Sequence, residues 1–212
     1  MAGLAVGSVQ GALPAIRLGP ATFAIIPSVA VSELDLYRQQ FEQIQQQASE
    51  LTAGLDEARF NWRPSPQDWS IEECLAHLIM VGQWEIGAIE EAIGRAWKRG
   101  ITGQGPFEYG AIDRFLVDQT EPPVRSPLPA PRHFAPLHGQ PVTAVMPTFL
   151  HLQSQLILQL ARAEGLDLRR VKVATPILPL LKMSLGMMFA QIAAHERRHL
   201  SQARRVREKM PR

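Results

Sequence analysis

The residues in this chain best placed to do chemistry are three histidines. His195 and His199 stand four apart in Ala194-His195-Glu196-Arg197-Arg198-His199-Leu200-Ser201-Gln202. On a helix, residues at i and i+4 project from one face, one turn apart. Neutral imidazoles so placed can bind one metal ion together. The competing reading is a pair of core histidines hydrogen-bonded to their neighbours. The third, His77, shares a helical strip with Cys74, Val81 and Trp84. Those neighbours are apolar, so His77 also points at protein. Opposite a helix with two more inward histidines, it is the obvious third ligand. His133 and His138 fall in a proline-rich stretch and His151 falls off its helix seam, so these three read as non-ligands.

Each histidine needs an element to aim it. Leu185, Met188, Ile192, His195, His199, Gln202 and Val206 recur at alternating spacings of 3 and 4. That is the inward seam of an amphipathic helix over residues 184–209, with Ser184 as its N-cap. Gln202 lies on the histidine seam, where it can support a ligand from behind. Glu196 is the nearest acid to the pair, but about 100° round the helix from His195. It reads as a surface ion pair or, at closest, a supporting residue beside Gln202.

His77 sits on a helix over residues 71–99. Ser70-Ile71-Glu72-Glu73 is a capping box that opens it, with Trp69 placed to staple onto Cys74. Cys74 is one turn before His77, which leaves it either a small core residue or a further group near the metal. An earlier helix over residues 32–55 carries Leu34, Tyr37, Phe41, Ile44, Ala48, Leu51 and Leu55 at the same period. Pro64 and Pro66 force an extended connector between the two. Trp62 and Trp69 flank that connector, either to anchor it or to wall the opening of a site. A third long helix begins by Pro147, carries Val145, Phe149, Leu152, Leu156, Leu160 and Ala163, and ends at Gly165. Residues 100–141 hold eight prolines and show no periodic pattern beyond a short turn near 112–117. A loop this long is usually functional or disordered, and its place between the second and third helices would let it cross the bundle end and roof the site. A second connector, 166–181, contains Pro176 and Pro179, with an extended piece expected at 171–174. The sum is an all-α four-helix bundle over residues 32–212, with a proline-rich connector between its second and third helices. Residues 1–31 read as a weakly structured N-terminal extension.

Composition narrows the function classes. Hydrophobic content of 46% and charged content of 20% fit an ordinary globular chain. A net charge of +2 gives no strong pull toward nucleic acid or membrane. The basic residues cluster at the C-terminal end, where they complement a helix dipole, and no aromatic residues are interleaved there. One cysteine precludes an internal disulfide, which suits a reducing, cytoplasmic setting. No apolar run approaches a membrane span.

His195-Glu196-Arg197-Arg198-His199 also fits H-E-x-x-H, the pattern of zinc proteases. Those enzymes need a further ligand downstream. Only 13 residues follow His199, with no histidine and Glu208 the sole acid. The protease reading is therefore set aside.

The sequence resembles the DinB-like superfamily of four-helix metal-binding proteins. Three blocks carry the resemblance: Asn61-Trp62-Arg63-Pro64 through Trp69-Ser70 to His77-Leu78; Pro176 and Pro179 through Leu185; and Ala194-His195 through His199 to Gln202. Carried over residue by residue, the resemblance implies a three-histidine site at His77, His195 and His199, holding a divalent ion, typically zinc or nickel. It also implies a homodimer and a small-molecule substrate. Members resemble thiol-dependent transferases, metal-dependent hydrolases and stress-induced proteins. Three neutral ligands leave the metal charge uncompensated and a coordination position open, which is the layout of a catalytic site. Such a metal can activate water or hold a low-molecular-weight thiol as its thiolate. The expected function is thus thiol transfer or hydrolysis, and the alternative is a non-catalytic, stress-related metal- or ligand-binding protein.

Overall fold

The computed structural model describes residues 32–123, 131–175 and 181–211. The N-terminal 1–31, the loop prolines Pro127 and Pro129, and the Pro176 to Pro179 stretch lie outside the described residues. Among those described, the elements are α1 (Glu33–Thr52), α2 (Glu57–Phe60), α3 (Ile71–Lys98), α4 (Ala111–Thr120), a 3-10 turn (Arg132–Phe134), α5 (Val142–Ala163), β1 (Lys172–Ala174), β2 (Lys182–Ser184) and α6 (Leu185–Lys209). The fold is all-α, with four long helices forming the body.

Each long helix buries the seam its sequence marks. Phe41, Ile44 and Ala48 of α1, Leu75, Ile89 and Ile93 of α3, Phe149, Leu156 and Leu160 of α5, and Leu185, Met188 and Ile192 of α6 are all buried. Fully burying one such leucine, isoleucine or phenylalanine contributes roughly 1.5–3 kcal/mol. The apolar stripe of α3 runs out at both flanks, because Trp84 and Trp97 are exposed. Trp97 instead donates its indole N–H to the Arg162 carbonyl at 3.0 Å.

Side-chain contacts fix the helix directions. Gln40 meets Arg197 and the Leu51 carbonyl meets Arg207, so α1 and α6 run parallel. Gly82 abuts Leu152 and Glu90 meets Arg162, so α3 and α5 run parallel. Arg38 near the start of α1 reaches Glu164 at the end of α5, so the two pairs oppose each other. Parallel α3 and α5 explain the long connection between them, since the chain must return the whole bundle length before α5 can start. On that return it forms α4, ten residues packed on α6, where the sequence pattern suggests only a short turn. Tyr109, Asp113, Thr120 and Glu121 tether this segment to Glu33, Ser184, Gln191 and Arg197 in turn. Its last part then reaches the histidine end of the bundle.

Two other expectations are corrected. Helix α5 starts at Val142, five residues before Pro147, which lies inside its second turn. Ser184 holds the N-cap position of α6, but its hydroxyl donates to Asp113 instead of capping. The first amides of α6 need no hydroxyl, because Leu185 and Gly186 donate to the Val171 and Leu168 carbonyls at 2.9 and 3.1 Å. Those carbonyls precede β1, which pairs antiparallel with β2 through Val173 opposite Met183.

Gly186 is the point where the returning segment meets the bundle. A Cβ there would overlap the hydroxyl end of Tyr109 and come within 2.9 Å of the Glu33 carboxylate. Tyr109 donates to that carboxylate at 2.7 Å, so neither group can retreat without breaking the tether. Gly186→Ala is therefore expected to destabilise by about 1–3 kcal/mol despite alanine's better helix propensity. Denaturant unfolding measures this. In a Tyr109→Ala background the same change should become neutral or stabilising, and an equal loss in both backgrounds would refute the steric account.

Candidate metal centre

The capping box at the start of α3 sets the height and rotation of His77. The Ser70 hydroxyl accepts from the Glu73 amide at 3.1 Å, and the Glu73 carboxylate accepts from the Ser70 amide at 2.9 Å. Arg63 of the preceding connector closes on the same carboxylate. Burial pulls the Glu73 carboxyl up, but the Arg63 guanidinium and the Ser70 amide outweigh it and hold it below the ordinary range. Neighbouring Glu72 accepts from the Gly139 amide at 3.3 Å and from Gln140 at 3.1 Å, which ties the end of the returning segment to the same turn.

From there His77 points across to α6. Its Nδ1 donates to the Phe134 carbonyl at 2.8 Å, so the lone pair is on Nε2. That Nε2 lies 3.4 Å from His195 Nε2. His199 Nδ1 donates to Gln202 Oε1 at 3.1 Å, which leaves its Nε2 free as well. One ring nitrogen from each of the three histidines falls within 4.8 Å of the other two. The rings meet edge-on, with centroids 4.7–5.3 Å apart. Trp69 closes one side, tilted against His77 at 5.0 Å and stacked on His199 at 5.6 Å.

All three imidazoles are held neutral. Burial lowers His77, against the pull of the Phe134 carbonyl. His195 is pushed down to about 3 by burial, then by His77 and Arg198. His199 falls well below its usual value for the same reasons, burial first. A neutral imidazole keeps the lone pair a metal needs. In a tetrahedral shell with bonds of about 2.0–2.1 Å, ligand nitrogens sit roughly 3.4 Å apart. The His77 and His195 nitrogens already have that spacing, and the donor set suits a divalent ion. Fixing Nδ1 by a carbonyl or amide oxygen is also the usual way to orient a metal-binding histidine.

The other residues singled out by the sequence fall on either side of the site. Gln202 is on His199, where the seam puts it. Glu196 is not a surface ion pair. It is buried, accepts from Gln153 Nε2 at 2.6 Å, and leaves its second oxygen without a partner among the described residues. Burial raises its carboxyl to about 8, and its charge in turn raises buried Glu85 further. The Phe134 carbonyl, Arg198 and the Glu85–Gln153–Glu196 group are the parts that sequence reasoning missed. Phe134 lies beyond any periodic pattern. Arg198, three residues after His195 on nearly the same face, is legible from spacing alone. His133, His138 and His151 are exposed and stay out of the cluster. Among the described residues, no helix is long and apolar enough to cross a membrane.

The chain is similar to the uncharacterized protein YuaE of Bacillus subtilis (strain 168), 29% identical over 160 residues, or 75% of this chain and 90% of that one. No solved structure matches it significantly. The model of the DinB superfamily matches residues 40–203, a span that takes in α3 and α5 whole, most of α1 and α6, and all three histidines. This chain belongs to the DinB superfamily.

Proposed function

We propose that His77, His195 and His199 hold one divalent ion, zinc or nickel, and that the protein is an enzyme that uses it to activate a small-molecule nucleophile. The observation that carries this reading is the convergence of three neutral ring nitrogens, with no carboxylate or thiolate among the described residues to complete the shell. A structural site would be closed by a fourth protein ligand. When bound, the ion supplies a Lewis acid that stabilises the anionic form of a thiol or of water. A thiol is favoured, because its pKa near 8.5 lets it ionise far more readily than water. That thiol must come from outside. Cys74 is fully buried, and burial pushes its thiol up, so it stays protonated and inert. The protein's own work is to aim His77 through Phe134 and His199 through Gln202 and to cover both with Trp69.

The test is to incubate metal-loaded protein with a panel of low-molecular-weight thiols and chlorodinitrobenzene. Turnover should require both metal and thiol and should vanish in His77→Ala. Turnover that needs metal but no thiol would replace the transferase by a hydrolase. No metal-dependent turnover of any kind would leave a non-catalytic metal-binding protein.

A further inference from the structure

Five arginines among the described residues are half-buried: Arg38, Arg63, Arg197, Arg198 and Arg207. Four of them have partners. Arg38 pairs with Asp35 and Glu164, Arg63 with Glu73, Arg197 with Glu121 and Gln40, and Arg207 with the carbonyls of Glu50, Leu51 and Ala53. Arg198 has no hydrogen bond or ion pair among the described residues. It is also the one beside the histidine cluster, close enough that its charge depresses all three imidazoles. A partly desolvated guanidinium left unpaired is costly, and a divalent ion at the neighbouring histidines would make it costlier. The arrangement becomes favourable once an anion sits between them.

The surroundings extend that argument. Arg198, Gln202, Arg205 and Lys209 follow one another at spacings of 4, 3 and 4 and so form one stripe of α6. Gln202, Arg205 and Lys209 line a cleft of about 160 Å³ whose opposite wall is Trp69 and Asp68. Trp69 and Gln202 are the same two side chains that touch His199. The cleft therefore abuts the histidine cluster, and its cations outnumber its single acid. Along the helix, Arg198 and Arg205 are separated by roughly 10 Å, the scale of a small metabolite.

We infer that the site takes a small oxyanion-bearing substrate, a carboxylate or phosphate whose charge docks on Arg198, with Arg205 and Lys209 of the adjoining cleft receiving charge farther along the same stripe of α6. This rests on the metal reading above for the chemistry, but not for the anion site itself. Arg198 is a specificity-determining residue in this account, since it selects which thiol or substrate approaches the histidines.

Two arms test it on the full-length chain. In the first, cobalt-loaded protein is titrated with 3-mercaptopropionate, 2-mercaptoethanol and cysteamine, and the sulfur-to-cobalt absorption band is followed. The anionic thiol should bind about tenfold tighter than the neutral one, as one charge-assisted contact implies. Arg198→Gln should bring the two within about twofold and leave 2-mercaptoethanol unchanged, while Arg198→Lys should retain part of the preference. No preference in the wild type, or a preference that survives Arg198→Gln, overturns the proposal. In the second arm, chelator-treated protein is titrated with inorganic phosphate and with succinate by calorimetry. Saturable binding that weakens with salt and is lost in Arg198→Gln and Arg205→Gln supports the anion site even if cobalt is never taken up. Binding unaffected by either substitution, or none to the wild type, overturns it, and the relative affinity of the two anions distinguishes phosphate from carboxylate.

Discussion

A His195→Ala, His199→Ala double variant is expected to purify without the divalent ion, about one per chain, that the wild type should carry. Two of three ligands come from one turn of α6, and the third alone, His77, offers a single monodentate nitrogen. Elemental analysis of both proteins after the same dialysis measures the difference. Stability should change with it. A ligand that binds only the folded state stabilises by about 2.7 kcal/mol at a hundredfold excess over its dissociation constant. For a domain of this size that corresponds to a rise in Tm of roughly 5–10 °C. The wild type should show this rise on adding zinc or nickel to chelated protein, and the double variant should show none. Removing one buried and one half-buried ring also leaves cavities, so the variant will be less stable even without metal. The informative quantity is therefore the metal-induced shift, not the absolute Tm. Metal content equal to that of the wild type would end the three-histidine reading.

The parts legible in the sequence are those with a period. The four seams name the core, and the seam position of His195 and His199 names the face on which a site can form. His77 is harder to read, because it lies beside the main stripe of α3. Its apolar neighbours Cys74 and Val81, both of which are buried, are what give it away. What the sequence hides has a common cause in packing on more than one side. Helix α6 packs against α1, α3 and α4, so little of its circumference faces water. Glu196, 100° from His195, looks solvent-facing only on the assumption of a single buried face. The return segment is hidden for a related reason. In α4, Ile112 and Phe115 are exposed while Val117 is buried, so its apolar residues do not mark one stripe. Its need follows from a topological fact, the parallel run of α3 and α5, that no local pattern encodes. The orienting carbonyl of Phe134 is likewise unreadable, since any residue type supplies a carbonyl.

The buried carboxyls of Glu85 and Glu196 make the second large effect, a contribution to stability that falls with rising pH in metal-free protein. Both carboxyls are raised, Glu196 to about 8, with burial the first cause in each and the charge of Glu196 adding to Glu85. Below the unfolded-chain value of about 4.5 both groups are protonated in both states, and their contribution to stability is fully present. As pH rises past that value the unfolded chain releases these protons while the folded one retains them, so the contribution of the two carboxyls falls. For Glu196 the decline ends near pH 8, where the folded carboxyl ionises too. The slope is roughly 1.4 kcal/mol per pH unit for each such group, so several kcal/mol can be lost between about pH 5 and 8. Gln is the matching neutral side chain, and at position 196 its amide can donate to Gln153 Oε1, which lacks a partner among the described residues. The Glu85→Gln, Glu196→Gln double variant should therefore gain on the wild type steadily from about pH 5 to 8, while the rise in stability toward pH 6.5 that the three depressed histidines contribute is common to both proteins. It should overtake the wild type on the alkaline side. The measurement is denaturant unfolding at unit pH steps in the presence of chelator, which removes any charge from an ion at neighbouring His195. Parallel pH profiles for wild type and variant would show that the two carboxyls are already ionised inside the fold, balanced by a cation that the three-helix junction of α3, α5 and α6 must then supply.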